Sequence, residues 1–422
     1  MHPALAVLLG LIVALVLART KIPMGIGFVL GGVAMAVSTG IGFGPTVDAV
    51  GGVLSSGSTW VFATQVTLVF VLSTVLKLAG SLDVLVVGAG ALIRNRRLRL
   101  ASLPALVGLL PMPGGAVVSA PLVDRTRCDV DLGNRDKNLI NYWFRHVWEV
   151  CWPLYPPLLL AATFLPDQDM SKLVAGQFPL MIVLIAVGWW FILRRIPGGR
   201  DSLTAERPAT GALARALMPL IAVIVAMPIF GAGLRRVIDP SLAGGYALVA
   251  ALLVGLLVAL TREGLGLLPR ALREKTVWDL LVLAIGVKVF GGIVGETDAA
   301  RATADLIRDG GLPPLVAIAA LPLFVGFVSG ATIAVVTVSF PMIVALVGNN
   351  DVTGGVLLPY LVLGYAMGFI GYMLSPVHMC LVLSSKFFDE RVTGAYTRLV
   401  APLLVFFVGA GVVYVSLTTL LG

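Results

Sequence analysis

The sequence predicts an all-α polytopic membrane protein built from two inverted-topology repeats, about ten transmembrane helices and two re-entrant hairpins, and three observations lead there. Of 422 residues, 58% are hydrophobic and only 12% charged, with mean hydropathy +1.00, whereas a water-soluble domain carries about 25% charged residues. Apolar runs of about 20 residues, enough to span roughly 30 Å of hydrocarbon, recur along the whole chain. Within each half they are interrupted by a polar island, PMPGGAVVSAP (Pro111 to Pro121) and GFVSGATIAVVTVSFP (Gly326 to Pro341). Irregular backbone at membrane depth leaves N–H and C=O groups without water, so it survives only where protein buries it or a wet cavity lines it.

Taken in order, the first half (1–195) predicts spans at 3–18, 22–40, 59–80, 139–165 and 177–193, with a re-entrant hairpin at 100–123. Residues 3–18 have the length of a signal-peptide core, but no basic region precedes them and no A-x-A site follows, so they read as a first span. A polar, Pro/Gly-rich linker occupies 196–215. The second half (216–422) predicts spans at 216–233, 241–261, 277–295, 356–385 and 399–421, with its hairpin at 312–347. Between third span and hairpin, 81–100 and 297–311 read as interfacial segments; DAARATADLIRD is amphipathic and too polar to span.

Placing both termini outside the cytoplasmic (inner) membrane puts 22 of the 30 basic residues in cytoplasmic loops, five outside and three within spans, as the positive-inside rule favours. Five crossings per half make the second copy enter from the opposite side. The pairing is visible residue by residue: TLVFVLSTVLKLAG (Thr67 to Gly80) aligns with WDLLVLAIGVKVFG (Trp278 to Gly291), Lys77 with Lys288, LPALV with LPPLV, and Pro121 and Pro156 with Pro341 and Pro376. The +8 net charge is spread over short loops and forms no clustered nucleic-acid face. Cys128, Cys151 and Cys380 give no disulfide framework and no metal-ligand spacing along the chain.

Candidate site residues concentrate in four places. Pro113, Gly114 and Gly115 halt a helix and free backbone N–H groups ahead of a helix N-terminus, which attracts an anion. Ser329, Gly330, Ala331 and Thr332 repeat the arrangement and add hydroxyls; a tight helix-packing patch uses the same small residues. In NYWFRHVWEVCWPLYP (Asn141 to Pro156), Arg145 and Glu149 lie at i, i+4 with His146 beside them. A structural ion pair with Arg145 snorkelling fits this pattern, and so does an anion-binding Arg145 beside a proton or cation relay of His146 and Glu149. In GYMLSPVHMC, Pro376 breaks the helix ladder and exposes carbonyls, with Ser375 and His378 adjacent. No Walker-type loop, HExxH pair or G-x-S-x-G elbow occurs; a hydrogen bond from Ser329 to His378 would be needed to revive an enzymatic reading.

These motifs resemble the ion transporter superfamily, which includes citrate, dicarboxylate and gluconate carriers. PMPGG, NYWFRHVWE and SPVHMC are similar to a prokaryotic integral-membrane family within it labelled as of unknown function. The resemblance implies a scaffold domain, a homodimer and a mobile transport domain moving as an elevator, with Gly114, Gly115, Ser329, Gly330 and Thr332 as tip contacts. PMPGG lacks the Ser-Asn-Thr tip signature of the dicarboxylate carriers. The expected activity is therefore secondary transport of a small organic anion, with a carboxylate the leading class. Asn141, Arg145 and His378 join the tips as binding residues, and coupling is to Na⁺ or H⁺. No organic cofactor or resident metal is expected, sodium near the tips being the candidate ion; the lipid bilayer is the other partner. The alternative is a cation/proton antiporter or channel that binds no organic solute.

Overall fold

The computed structural model describes residues 2–18, 20–112, 114–124, 132–199, 210–348 and 354–421. Pro113, Cys128 and half of the expected linker, 200–209, lie outside the described residues. The first half runs α1 (Pro3–Leu17), α2 (Met24–Thr39), α3 (Phe43–Ser55), α4 (Gly57–Leu78), α5 (Ser81–Leu92), α6 (Arg96–Gly108), α7 (Gly115–Asp124), α8 (Asn134–Arg145), α9 (Pro156–Ala162) and α10 (Met170–Phe191). The second runs α11 (Thr210–Leu234), α12 (Pro240–Glu263), α13 (Leu267–Leu272), α14 (Lys275–Glu296), α15 (Ala299–Asp309), α16 (Pro314–Ser329), α17 (Thr332–Gly348), α18 (Gly354–Leu374), α19 (Met379–Phe387) and α20 (Val392–Leu421). The chain is thus a polytopic helical membrane protein. Seven helical stretches among the described residues are long and apolar enough to cross a bilayer.

Four of the ten expected spans depart from that reading. Helices α1 and α2, at 15 and 16 residues, are shorter than a full crossing. The stretch 139–165 is not one helix: residues 146–155 are unwound between α8 and α9. A second break, at 375–378, divides α18 from α19 inside the expected span 356–385. Pro153, Pro156, Pro157 and Pro376 supply the cause, since each removes an N–H donor and its ring clashes with the preceding turn. Hydropathy reports depth in the bilayer and is blind to these breaks. Helices α3 and α13, which carry no expected element, precede α4 and α14; in each case a tryptophan indole closes the junction, Trp60 Nε1 donating to Leu54 O (2.7 Å) and Trp278 Nε1 to Leu272 O (2.8 Å).

Two groups of helices pack internally. In the first, α1 and α2, α11 and α12, α2 and α14, and α4 and α12 are neighbours. Backbone meets backbone at Gly25 and Gly286, where a Cβ on either residue would lie 2.1 Å from a carbonyl oxygen of the opposite helix, the close approach that small residues permit in membranes. Gln65 Nε2 donates to Gly245 O (2.9 Å), tying α4 to α12. In the second group, α6 and α16 pack on α7, α8, α17 and α18, with α10 and α20 alongside. The groups meet where α4 and α14 face α9 and α17. Along that boundary lies a hollow of about 640 Å³ lined by Asp48, Ser58, Thr163, Lys288, Glu296 and Thr337 among others. Lipid-facing stripes are plain on α1, where Leu5, Leu9, Ile12 and Val16 are exposed on one side.

Candidate functional site

Both polar islands form helix–break–helix hairpins, α6–α7 and α16–α17. At the second tip Gly330 takes φ +62°, and a Cβ there would press at 3.0 Å on His378 N, Ser375 Oγ and Val377 Cγ2. Only glycine accepts both the left-handed backbone and the contact. The tip therefore rests directly on the unwound segment of the α18–α19 pair. At the first tip a Cβ on Gly115 would lie 2.5 Å from Arg145 Nη2 and 2.6 Å from Nε, so the guanidinium lies flat against the start of α7.

Arg145 is the last residue of α8 and only 1% exposed; it does not snorkel. Its Nη1 donates to Tyr155 Oη (2.9 Å) and Glu149 Oε1 (3.3 Å), and its Nη2 to Met112 O (3.4 Å). Tyr155 Oη in turn donates to Gly108 O (2.6 Å). Arg145 and Tyr155 thus satisfy carbonyls at and beyond the end of α6, where helix carbonyls lack intrahelical partners, and Glu149 balances the charge. Arg145 Nε has no partner. Glu149 Oε1 also stands 3.9 Å from His146 Nε2, and Tyr365 Oη holds the Glu149 carbonyl (3.0 Å).

These pieces surround one cavity of about 270 Å³. Its walls include Gly114 at the first tip; Gly330, Ala331 and Thr332 at the second; Arg145, Glu149, Tyr155 and Pro156 from the first break; and Tyr372, His378 and Cys380 beside the other. The starts of α7, α9, α17 and α19 converge here; α7, α17 and α19 bring partial positive charge, whereas α9 opens on Pro156 and Pro157, which have no N–H, and Leu158 N already donates to Tyr155 O. Arg145 and Glu149 both line the cavity, so its wall carries one charge of each sign besides these helix ends.

Several expected site residues sit behind this wall. Gly115 supports Arg145, and the Ser329 hydroxyl is spent locally, accepting from Ala331 N (3.2 Å) rather than meeting His378. Ser375 Oγ accepts from Val377 N (3.4 Å), and Pro376 is part of the break without lining the cavity. Asn141 is buried in a separate network: Ser119 Oγ donates to Asn141 Oδ1 (2.6 Å), and Asn141 Nδ2 donates to Ala116 O (3.0 Å) and Ser384 Oγ (2.8 Å). Asn138 extends it to Ser384 and Ser385. This network clamps α7, α8 and α19 together and so fixes the geometry of the tip. His146 is also behind the wall, with Nδ1 2.5 Å from Tyr142 O.

Sequence reading missed Tyr142, Tyr155, Tyr372 and Cys380. The tyrosines look like ordinary span aromatics until the breaks turn them inward; the one usable signal was that Tyr155 and Tyr372 flank helix-breaking prolines.

Fold and site together define a polytopic helical membrane protein whose broken helices meet around an arginine-lined cavity. The chain belongs to the family described as protein of unknown function DUF401, whose model matches residues 2–417. No curated protein sequence matches it. Among solved structures it is similar to the YdaH transporter of Alcanivorax borkumensis, with TM-score 0.54 and 14% identity over 85% of this chain and 86% of that one. The two share a fold.

Proposed function

We propose that this protein is a secondary active transporter of a small organic anion, a carboxylate being the class that fits best, coupled to Na⁺ or H⁺ and working by elevator-type alternating access. One observation carries the reading: the N-termini of α7, α17 and α19 and the buried Arg145 share a single cavity of about 270 Å³. That is at or below the small end of ligand pockets, roughly 300–1,000 Å³, so the solute is metabolite-sized. Burial strengthens each charge–dipole contact relative to water. One coupled cation contributes about 2.3 kcal/mol per 100 mV, enough to offset about 40-fold accumulation of a neutralised solute.

The parallel order of elements in the two halves and the paired Trp60 and Trp278 bonds support inverted repeats. The fold shared with a transporter supports the class, and on this reading the protein is not an enzyme. Helices α1, α2, α4, α11, α12 and α14 are then the scaffold, the group bearing the hairpins is the transport domain, and the termini lie outside the inner membrane. The protein works as a homodimer within the ion transporter superfamily. Counterflow in proteoliposomes with a panel of mono- and dicarboxylates, under imposed Na⁺ and pH gradients, tests the proposal. Accumulation of one class under one gradient is expected; none under any gradient overturns it.

The cation/proton antiporter reading draws on the Glu149 and His146 contact. Glu149→Gln separates the two. An antiporter loses all transport, whereas an anion carrier whose Glu149 only balances Arg145 keeps solute binding.

A further inference from the structure

The chain has three histidines, and two of them face each other in the core. His146 and His378 are 0% and 2% exposed, with ring centroids 5.0 Å apart. The partner of each Nδ1 fixes where the ring proton sits. A backbone carbonyl can only accept, so Tyr142 O at 2.5 Å requires a proton on His146 Nδ1. Tyr142 Oη spends its proton on Met373 O (2.9 Å) and can then only accept from His378 Nδ1 (2.7 Å).

Both Nε2 atoms therefore carry a lone pair, and neither has a hydrogen-bond partner. One residue, Tyr142, sets both rings, through its carbonyl and its hydroxyl. Two buried acceptors turned inward with no donor between them call for an electrophile. The Sγ of Cys380 completes the group: one ligand atom from each of His146, His378 and Cys380 lies within 4.8 Å of the others. Glu149 Oε1 stands 3.9 Å from His146 Nε2.

We propose that His146, His378 and Cys380 form a binding site for a thiophilic divalent transition ion of the zinc class. Two imidazoles and one thiolate suit such an ion better than Na⁺, Mg²⁺ or Ca²⁺, which take oxygen ligands. Ion–ligand bonds of about 2.0–2.3 Å require the three groups to close in by about 1 Å. Histidine ligands that give their second N–H to a carbonyl or another fixed acceptor are the common form of such sites, and Tyr142 supplies both. Binding converts the Cys380 thiol to thiolate and releases its proton. His378, Cys380 and Glu149 line the cavity, so a fourth ligand can come from Glu149 or from a solute entering there. The site stands on this geometry alone and does not depend on the anion-transport reading.

The test uses the purified full chain in detergent, loaded with Zn²⁺ or Co²⁺. One equivalent of zinc should survive dialysis. The cobalt form should show a thiolate-to-cobalt charge-transfer band, and X-ray absorption should report one sulfur and at least two nitrogen donors. A Cys128→Ser/Cys151→Ser background should keep the band, while Cys380→Ser should abolish it and weaken zinc binding at least 10-fold. Tyr142→Phe, which leaves all three ligands in place, should weaken zinc about 10- to 100-fold. Absence of stoichiometric zinc and of the band in the wild type, a band that survives Cys380→Ser, or oxygen-only donors would overturn the proposal. Arg145→Lys separates the two readings: it should retain the cobalt spectrum even where solute transport is lost.

Discussion

At the scale of single residues, Arg145 organises the first break. Removing one member of a buried pair costs about 3–5 kcal/mol, largely because the other charge is stranded. Arg145→Gln should therefore lower the unfolding temperature markedly, and the double variant Arg145→Gln/Glu149→Gln should recover much of the loss in the same thermal melts. If the double variant is as unstable as the sum of the singles, the two side chains do not act as a pair. Gly115→Ala probes the same spot from the helix side. Its methyl would need the space of the guanidinium, so transport should fall at least tenfold while Gly114→Ala, at φ +67° with its nearest neighbour 3.4 Å away, costs mainly about 1–2 kcal/mol of backbone strain. Equal effects of the two on transport would show that contact with Arg145 is immaterial. Arg145, Glu149 and His378 were legible in the sequence because ionisable groups at membrane depth are rare and expensive. Cys380 was not, because His378 two positions away makes no ligand pattern by itself and the third member of the group, His146, stands more than two hundred positions away.

At the scale of elements, the hairpins were legible for a local reason, since glycines at the tips end their helices, while Pro104, Pro121, Pro322 and Pro341 lie inside the hairpin helices without stopping them. The breaks at 146–155 and 375–378 were visible only as prolines inside apolar runs, and their unwinding depends on neighbours that the sequence does not reveal. The corner between α9 and α10 shows how such joints are held. Asp169 accepts from Ser171 N (2.9 Å) at the start of α10 and pairs with Arg235 from the other helix group. Burial alone would raise the neighbouring Asp167 carboxyl; the hydrogen bond and charge of Lys172, with the backbone N–H of Asp169, outweigh it and hold that carboxyl below the usual range. A depressed folded-state pKa stabilises above the unfolded value, about 3.9, and the benefit fades as pH falls through the folded value. Lys172→Met should thus melt earlier than wild type at pH 7, with the gap closing below about pH 4. A gap independent of pH would mean that the lysine acts through packing.

At the scale of the whole molecule, the elevator reading requires one helix group to travel past the other. The Asp169 and Arg235 pair joins the two groups, so cysteines at both positions, bridged by a bifunctional thiol reagent in the Cys128→Ser/Cys151→Ser background that keeps the buried Cys380, should stop transport, and cleaving the bridge should restore it. Full transport with the bridge intact would exclude relative motion at that corner. How the groups are seamed explains where such motion is cheap. Between α2 and α14 the backbones touch at Gly25 and Gly286, and a joint that tight cannot slide without prising the pair apart. The boundary with the hairpin-bearing helices instead contains the 640 Å³ hollow, edged by glycines, serines and threonines. Interlocked ridges normally hold neighbouring helices to a few discrete positions. A gallery in place of a meshed surface leaves few teeth to disengage, so on the elevator reading gliding along it forfeits little dispersion energy, and this hollow is the bearing.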